Sequence, residues 1–446
     1  MTNAADPVRS AVSQGTATAK TRSAGFPWRV LVFIAIASFT ACAIVDLTYF
    51  SGLTSFISAD EARLIDSGKA LLATGAFRVG VDKAYEMPGT AAFFAAVMWL
   101  FPAHPVAAIR IVQGFIVGLQ SFFVGALAYT LFRAASVAIL AAVMAGFYPY
   151  FVFTQGLALS ETLFTAVLMA GFLSLYRWRM DGARIDSGLF TTVALFVAGV
   201  MVKATLTLMS PVLVIAGAIG VRKPASIMAV GVAAVTTFCI LMAPWWVRNY
   251  RELGTFVPFT TESNLALYNG NTPRNPDADA LWPADDPKFV PEAGIKDEVL
   301  RSRVFRDMAI TNIEADPVGF VRRAALKFTR FWSIVPRAEA FQKPLYLIVG
   351  AGTFGSVLVL AITCAVSQYR RFVEFLPIYL TFAYFTAIYT ITVASIRYRL
   401  PIEPLLIVLA ARPCMTLLSK ITGVIRRPFG QIDGLPQPLK YSPTNS

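Results

Sequence analysis

The sequence predicts an all-α polytopic membrane protein, and two observations support that prediction. Of its 446 residues, 56% are hydrophobic and only 15% are charged, with a mean hydropathy of +0.62. Apolar windows of about 20 residues recur along the chain, and each is long enough to cross the hydrocarbon core as a helix. Backbone groups in lipid must bond within their own segment, so helices are expected there.

We expect about ten transmembrane helices, because about ten windows have the required length and apolar character. They lie at roughly 28–48, 106–131, 136–155, 160–176, 188–203, 205–221, 225–246, 344–366, 373–394 and 401–419. The first window follows a polar, basic N-terminus, so a cleaved signal peptide is the alternative. It is long for a signal peptide, and Ala41-Cys42-Ala43 is a weak cleavage sequence, so we expect an uncleaved span.

Basic residues in the short connections predict the orientation, because short cytoplasmic loops carry an excess of Lys and Arg. Every second connection is basic, through Arg9, Lys20, Arg22, Arg29, Arg133, Arg177, Arg179, Arg184, Arg222, Lys223, Arg370, Arg371, Lys420, Arg426 and Arg427. Both termini are therefore expected in the cytoplasm. The expected location is the bacterial inner membrane, with two long loops on the periplasmic side.

This topology divides the chain into consecutive regions. We expect a disordered cytoplasmic N-terminus at 1–25, a transmembrane module of seven spans at 26–246 with an outer loop at 48–105, a periplasmic loop region at 247–343, a module of three spans at 344–419, and a cytoplasmic tail at 420–446. The first outer loop is expected to carry amphipathic helices. The second is expected to mix helices with irregular structure.

Composition also bounds the chemistry. The four cysteines all lie in or beside apolar windows, and His104 is the only histidine, so the sequence offers no disulfide framework and no zinc or iron site. The net charge of +13 is explained largely by topology, and no nucleic-acid partner is predicted. We expect no cofactor, although a divalent cation held by Asp60 and Glu61 stays open as an alternative.

The first outer loop contains the strongest candidate for a catalytic residue. Ser58-Ala59-Asp60-Glu61 has the pattern of a capping box, which predicts a helix of about 15 residues ending near Gly75. Asp60 would lie in the first turn at the outer membrane face. A purely structural role for Asp60 would be compensation of the helix dipole. A functional role would be that of a general base, with Glu61 beside it.

Three further residues are candidates at the ends of predicted elements. Glu161 begins the fourth span, where a carboxylate beside lipid usually faces a cavity; a plain first-turn acid is the alternative. Lys83 is either a solvated loop cation or a phosphate ligand. Lys203 either reaches the outer interface or binds a ligand.

Two basic motifs follow spans on the side where anchoring does not explain them. They are Arg248-Asn249, after Trp245-Trp246, and Arg397-Tyr398-Arg399, before Pro401. Arginine forks suit a phosphate group, so these residues are candidate substrate ligands. Asn271, in the turn Asn269-Gly270-Asn271, is also a candidate substrate ligand, although the turn alone says nothing about chemistry.

The order of these motifs resembles the C-type polytopic glycosyltransferases, in the family of protein O-mannosyltransferases and the lipid A aminoarabinose transferase. The resemblance runs from about Val30 to Leu418. The family's motifs correspond to Asp60-Glu61, Pro88-Gly89, Ser160-Glu161-Thr162, Trp245 to Asn249, Gly270-Asn271 and Arg397 to Pro401. Because Glu86 stands where the family has an arginine, Lys83 is expected to replace it.

The resemblance implies a polyprenyl-phosphate sugar donor and Asp60 as the catalytic carboxylate. The expected function is inverting transfer of the sugar to lipid A, a lipopolysaccharide core, another glycan or a protein. One alternative is a transporter or flippase, but no matched halves with broken helices are visible. Another is a polysaccharide polymerase or ligase; ligases rely on a histidine in the large loop, and His104 lies outside it.

Overall fold

The computed structural model describes residues 25–52, 56–334 and 343–422. The predicted disordered N-terminus and most of the predicted cytoplasmic tail lie outside these ranges. The described residues form helices, with one isolated bridge between Val79 and Asp82 and no strand. The all-α prediction is therefore confirmed.

The helices of the first half, in chain order, are α1 (Trp28–Thr48), α2 (Ala59–Thr74), α3 (Gly89–Leu100), α4 (Pro105–Phe132), α5 (Ala135–Gly146), α6 (Pro149–Thr154), α7 (Ser160–Met180), α8 (Ser187–Val202), α9 (Met209–Ala218) and α10 (Pro224–Leu253). Those of the second half are α11 (Ser263–Asn269), α12 (Glu298–Ala315), α13 (Pro317–Phe331), α14 (Pro344–Gly350), α15 (Ser356–Ser367), α16 (Phe372–Ile391), α17 (Ile396–Arg399) and α18 (Glu403–Thr422).

Six helical segments of the described chain are long and apolar enough to cross a membrane: Trp28–Gly52, Pro105–Phe132, Pro224–Leu253, Pro344–Ser367, Tyr369–Ile391 and Ile396–Ile421. The protein is thus a multi-pass membrane protein. The other expected spans fall on α7 and on the shorter apolar helices α5, α8 and α9. The count of about ten remains a prediction.

Two predicted spans are interrupted in the structure, and a proline accounts for the first break. The window at 136–155 divides into α5 and α6, and Pro149 is the first residue of α6; proline favours a helix start because it has no N–H to donate. The window at 205–221 yields only α9, which follows a 3₁₀ turn at Ala204–Leu206.

The bundle is assembled around α4 and α7. Helix α4 packs against α1, α5 and α7, while α7 also packs against α8, and α18 packs against α15 and α5. A glycine permits one close approach: a Cβ on Gly118 of α4 would lie 2.6 Å from the Ala35 carbonyl oxygen of α1. These contacts fix the start of α7 and the end of α8 relative to the rest of the bundle.

The two long loops predicted to lie on the outer side, called the first and second outer loops, both contain helices. In the first loop, α2 ends at Gly75, whose φ of 67° suits a left-handed C-cap, and packs on α3. In the second loop, α11 and α12 pack together around a separate apolar core of Tyr268, Ala284, Val290, Phe305 and Ala309. Helix α13 packs against α16 and so joins this loop to the bundle.

Candidate functional site

The capping box at the start of α2 orients two neighbouring carboxylates differently. Ser58 Oγ accepts a hydrogen bond from the Asp60 amide. Glu61 Oε1 accepts from the Ile57 and Ser58 amides at 3.0 Å each, and its Oε2 accepts from the Ala158 amide at 3.2 Å. Glu61 is fully buried. Both of its oxygens accept hydrogen bonds from backbone amides. We therefore do not propose Glu61 as a catalytic group or as a partner of Asp60 in cation binding.

Asp60 instead points toward two arginines. Its Oδ2 accepts from Arg397 Nη1 at 2.5 Å, and its Oδ1 lies 2.9 Å from Arg63 Nη2. Burial raises the pKa of Asp60, but the charges of Arg397 and Arg63 outweigh burial and hold the pKa below its ordinary value. The carboxylate is therefore ionised at neutral pH, a requirement for a group that will accept a proton.

Arg397 joins Asp60 to a second carboxylate. Its Nε donates to Glu161 Oε1 at 2.7 Å, and Lys203 Nζ donates to the same oxygen at 2.8 Å. Glu161 has only 2% of its side chain exposed, so its charge depends on these two cations. We call the set of Asp60, Arg63, Glu161, Lys203 and Arg397 the Arg397 cluster.

Four separate elements supply the Arg397 cluster. Asp60 and Arg63 lie on α2, Glu161 begins α7, Lys203 follows α8, and Arg397 lies on α17. The structure thus brings together four of the residues singled out in the sequence: Asp60, Glu161, Lys203 and Arg397. It adds Arg63, which faces the same direction as Asp60 because positions three apart share one face of a helix.

Tyr398 forms an aromatic wall beside the cluster. Its ring stacks on that of Tyr389 with centroids 4.8 Å apart and an interplanar angle of 7°. Lys203 Nζ lies 5.5 Å from the centre of the Tyr398 ring, a cation–π distance. Tyr398 is thus placed next to the charged groups, and its substrate-binding role stays a prediction.

Arg399 does not share this location, and the prediction that it binds a donor phosphate has to be corrected. It is completely buried, with Nε on Glu403 Oε1 at 2.6 Å and Nη1 on the carbonyl oxygens of Phe331 and Ser333. Residues two apart on a helix are separated by about 200°. Arg397 and Arg399 therefore face opposite ways, and Arg399 fastens α17 to the end of α13.

Arg248, Asn249 and Lys83 also lie away from Asp60, in a second polar group. Arg248 donates to the carbonyl oxygens of Lys83 at 2.5 Å and Phe77 at 2.8 Å, and Asn249 Nδ2 donates to Val257 O. Lys83 Nζ pairs with Glu252 Oε2 at 3.0 Å. The contacts of this group hold the first outer loop against the end of α10, rather than completing the Arg397 cluster.

Asn271 contacts Lys327 of α13. Lys327 is fully buried, and its Nζ donates to Asn271 Oδ1 and to the carbonyl oxygens of Gly270, Ile391 and Thr392. Those oxygens satisfy the amino group of Lys327 without water. Asn271 and Lys327 together fix the end of α16, just before Arg397.

Two carboxylates near the cluster were not identified as candidates from the sequence. Glu86 Oε1 accepts from Arg63 Nη2 at 2.5 Å, and the Glu262 side chain interacts electrostatically with Glu86, Arg63, Asp60 and Lys203. Arg63 could have been found from its spacing to Asp60. Glu262 carries no local signal, because only the fold brings the second loop to α2.

A divalent cation held by Asp60 and Glu61 is an alternative that the sequence allows. Within the described ranges, no group of three or more His, Cys, Asp or Glu side chains is placed to hold a metal ion. The polar groups of the site are instead carboxylates paired with arginine and lysine. Such a site can bind an anion by competition for its cations, and it can accept a proton at Asp60.

The fold matches that of solved polytopic glycosyltransferases. The oligosaccharyltransferase AglB of Archaeoglobus fulgidus, in complex with an inhibitory peptide and a dolichol-phosphate, matches 90% of this chain with a TM-score of 0.52 and 11% identity. The apo crystal structure of an oligosaccharyltransferase from the same organism matches 89% with a TM-score of 0.54 and 12% identity. This chain spans about half of those proteins, 52% and 51% respectively.

ArnT of Cupriavidus metallidurans bound to undecaprenyl phosphate is also similar over 89% of this chain and 78% of its own, with 13% identity and a TM-score of 0.40. No protein-family model matches the sequence, and no curated protein sequence matches it. At these identities the likeness establishes the fold alone. The chain has the polytopic fold of the C-type membrane glycosyltransferases, as the motif resemblance implied.

Because Arg397 lies between two carboxylates, its replacement is expected to lower the stability of the protein. Arg397→Gln leaves Glu161 with Lys203 only and Asp60 with Arg63 only, so we expect a clear fall in the thermal midpoint of the detergent-solubilised protein. Removing one partner of a buried pair costs about 3–5 kcal/mol; because the Arg397 side chain is 26% exposed, we expect a loss at or below the lower end of that range.

The double variant Arg397→Gln/Glu161→Gln should recover part of the loss, because it removes a carboxylate that the single variant leaves under-compensated. Arg370→Gln is the control, since Arg370 is an exposed arginine stacked on Tyr369 and should be nearly neutral. Additive losses in the double variant would contradict the coupling of Arg397 to Glu161.

Proposed function

We propose that the protein is an inverting glycosyltransferase that moves a sugar from a polyprenyl-phosphate donor to a cell-envelope acceptor. The proposal rests on the position of the Arg397 guanidinium, which bonds Asp60 on one side and Glu161 on the other. A candidate base and a candidate phosphate ligand are thereby held in direct contact. The acceptor class comprises lipid A, a lipopolysaccharide core, another glycan or a protein.

The reaction follows from these groups. The acceptor hydroxyl attacks C1 of the sugar, its oxygen forms the new bond, and the C1–O bond to the phosphate breaks with its electron pair going to the phosphate oxygen. Attack from the opposite face inverts the configuration at C1. Asp60 accepts the hydroxyl proton, a contribution of about 10²–10⁴-fold for a positioned base.

Arg397 and Lys203 are the cations available for the departing phosphate. The phosphate gains charge as the bond breaks, so cations already in place stabilise the transition state more than the ground state. A guanidinium can also bind phosphate oxygens in bidentate geometry. We do not propose Arg399, Arg248 or Lys83 for this role, since their charged groups are bonded elsewhere.

Competition for Arg397 links donor binding to the strength of the base. Burial acts to raise the pKa of Asp60, and Arg397 is the main influence that lowers it. When a phosphate draws the guanidinium away, Arg397 lowers the pKa of Asp60 less. Burial then raises that pKa, and Asp60 becomes more basic. The donor thus prepares the carboxylate for the proton that the acceptor must lose.

A lipid-phosphate donor is also compatible with the solved neighbours. AglB of A. fulgidus was solved with a dolichol-phosphate, and its fold is shared by this chain. We infer that the corresponding face of the bundle is extracytoplasmic here, in a bacterial inner membrane, with both termini in the cytoplasm. The charge alternation of the short connections supports this orientation.

Asp60→Asn tests the proposed base. The variant should fold and reach the membrane, and transfer from a polyprenyl-phosphate sugar should fall by at least about 10²-fold because the amide cannot accept the proton. Asp66→Asn is the matched control on the same helix, since Asp66 is exposed and its ion pair is with Lys69, outside the Arg397 cluster. Transfer by Asp60→Asn at the parent rate would remove Asp60 from the mechanism.

Labelling with an impermeant thiol reagent tests the proposed orientation. In a background without the four native cysteines, Asp307→Cys on α12 should react in intact cells, whereas Ser367→Cys at the end of α15 should react only after the membrane is opened. Both positions are exposed, so access of the reagent reports the side of the membrane. The reverse pattern would place the Arg397 cluster on the cytoplasmic face.

A further inference from the structure

A backbone contact joins the two outer loops beside the Arg397 cluster. The Thr261 amide donates to Ala84 O at 2.9 Å, and the Glu262 amide donates to Tyr85 O at 3.3 Å. Glu298 on α12 reinforces the contact, because its carboxylate accepts from the amides of Lys83 and Ala84. This pairing brings Glu262 beside Tyr85 and its neighbour Glu86, and Glu86 in turn contacts Arg63 of α2.

Arg63 connects these two glutamates to the proposed base. Its Nη2 contacts both Asp60 and Glu86, and its charge also interacts with Glu262. Glu86 is mostly buried, with 16% of its side chain exposed. Arg63 thus connects two glutamates, Glu86 and Glu262, to the rest of the Arg397 cluster. We call these two glutamates the acid pair.

The charges around Arg63 are unbalanced when every group is ionised. Three cations, Arg63, Lys203 and Arg397, face four carboxylates, Asp60, Glu86, Glu161 and Glu262. Glu262 also interacts with the phenols of Tyr85, Tyr389 and Tyr398, which are neutral near pH 7. Asp285 lies farther out and interacts with Tyr85. A fully ionised site would therefore carry one excess negative charge and would oppose an arriving phosphate.

A proton on the acid pair removes that excess. Burial and the charge of Glu86 raise the pKa of Glu262 to about 7, against the lowering effect of Arg63. Burial likewise raises the pKa of Glu86. Two carboxyl groups that share one arginine do not both ionise easily, so the acid pair retains a proton up to about neutral pH.

We propose that binding of an anionic lipid-phosphate donor is coupled to uptake of one proton by the acid pair, Glu86 and Glu262. The inference rests on the proposed function, because it takes the donor phosphate to bind at Arg397 and Lys203. The proton comes from solvent and goes to a carboxylate oxygen of the pair, and neither glutamate has to touch the donor. Both are positioning residues that set the charge of the site.

The direction of the pH dependence follows from the charges. A bound phosphate adds negative charge and favours the protonated pair, so donor affinity is greatest when the pair already holds its proton. Affinity is then lost as the pH rises above about 7. For one linked proton the dissociation constant rises by at most about tenfold per pH unit.

The test uses the whole purified protein and polyprenyl methyl phosphate, a diester that keeps one negative charge throughout the range. We expect its dissociation constant to rise at least fivefold between about pH 6.5 and pH 8.5. Calorimetry in two buffers of different ionisation enthalpy should show proton uptake on binding. Glu262→Gln should keep the affinity nearly constant over the range and abolish the uptake.

Controls separate the possible results. Glu314→Gln, at an exposed glutamate of α12, should retain the wild-type pH dependence, and Glu86→Gln should reduce it as Glu262→Gln does. Diester binding without pH dependence or proton uptake in the wild-type protein would overturn the proton linkage alone. Failure to bind the diester at any pH would overturn the lipid-phosphate donor, and with it the proposed function.

Discussion

The site depends on one arginine shared between two carboxylates. Arg397 bonds Asp60 of α2 and Glu161 of α7, and these elements come from separate parts of the chain. Glu161 is nearly inaccessible to solvent, so an uncompensated charge there would be expensive. Arg397 and Lys203 remove that cost and, by the same contacts, bring the first outer loop onto the end of the bundle.

Several buried polar groups support the position of Arg397. Lys327 and Asn271 fix the end of α16, and Arg399 bonds Glu403 and the end of α13. A four-residue helix such as α17 has little stability of its own, so its orientation has to come from these neighbours. A phosphate that competes for Arg397 would therefore meet an arginine whose backbone is held in place before binding, which reduces the cost of ordering the site.

Local signals in the sequence predicted much of the fold but only part of the site. The helix from Ala59 to Thr74 follows from its capping box and its C-terminal glycine. Span boundaries were less accurate where a proline or a short turn divides an apolar window, as at Pro149. Composition cannot distinguish one long helix from two short ones.

The direction in which a side chain points depends on tertiary contacts. Arg397 and Arg399 are equivalent in a linear motif, yet the turn of α17 directs one to Asp60 and buries the other on Glu403. Asp60 and Arg397 are 337 positions apart in the sequence, so no local pattern reveals their contact. The same holds for Glu262, which reaches the site through a loop pairing with Tyr85.

Binding of the donor phosphate at Arg397 is tested directly by an experimental structure of the full chain with polyprenyl phosphate bound. We expect phosphate oxygens within hydrogen-bond reach of the Arg397 guanidinium, near Lys203, with the Arg397–Asp60 contact lengthened or lost. A phosphate held by Arg248 and Lys83 instead, with the Arg397 cluster unchanged, would rule out Arg397 as the phosphate ligand.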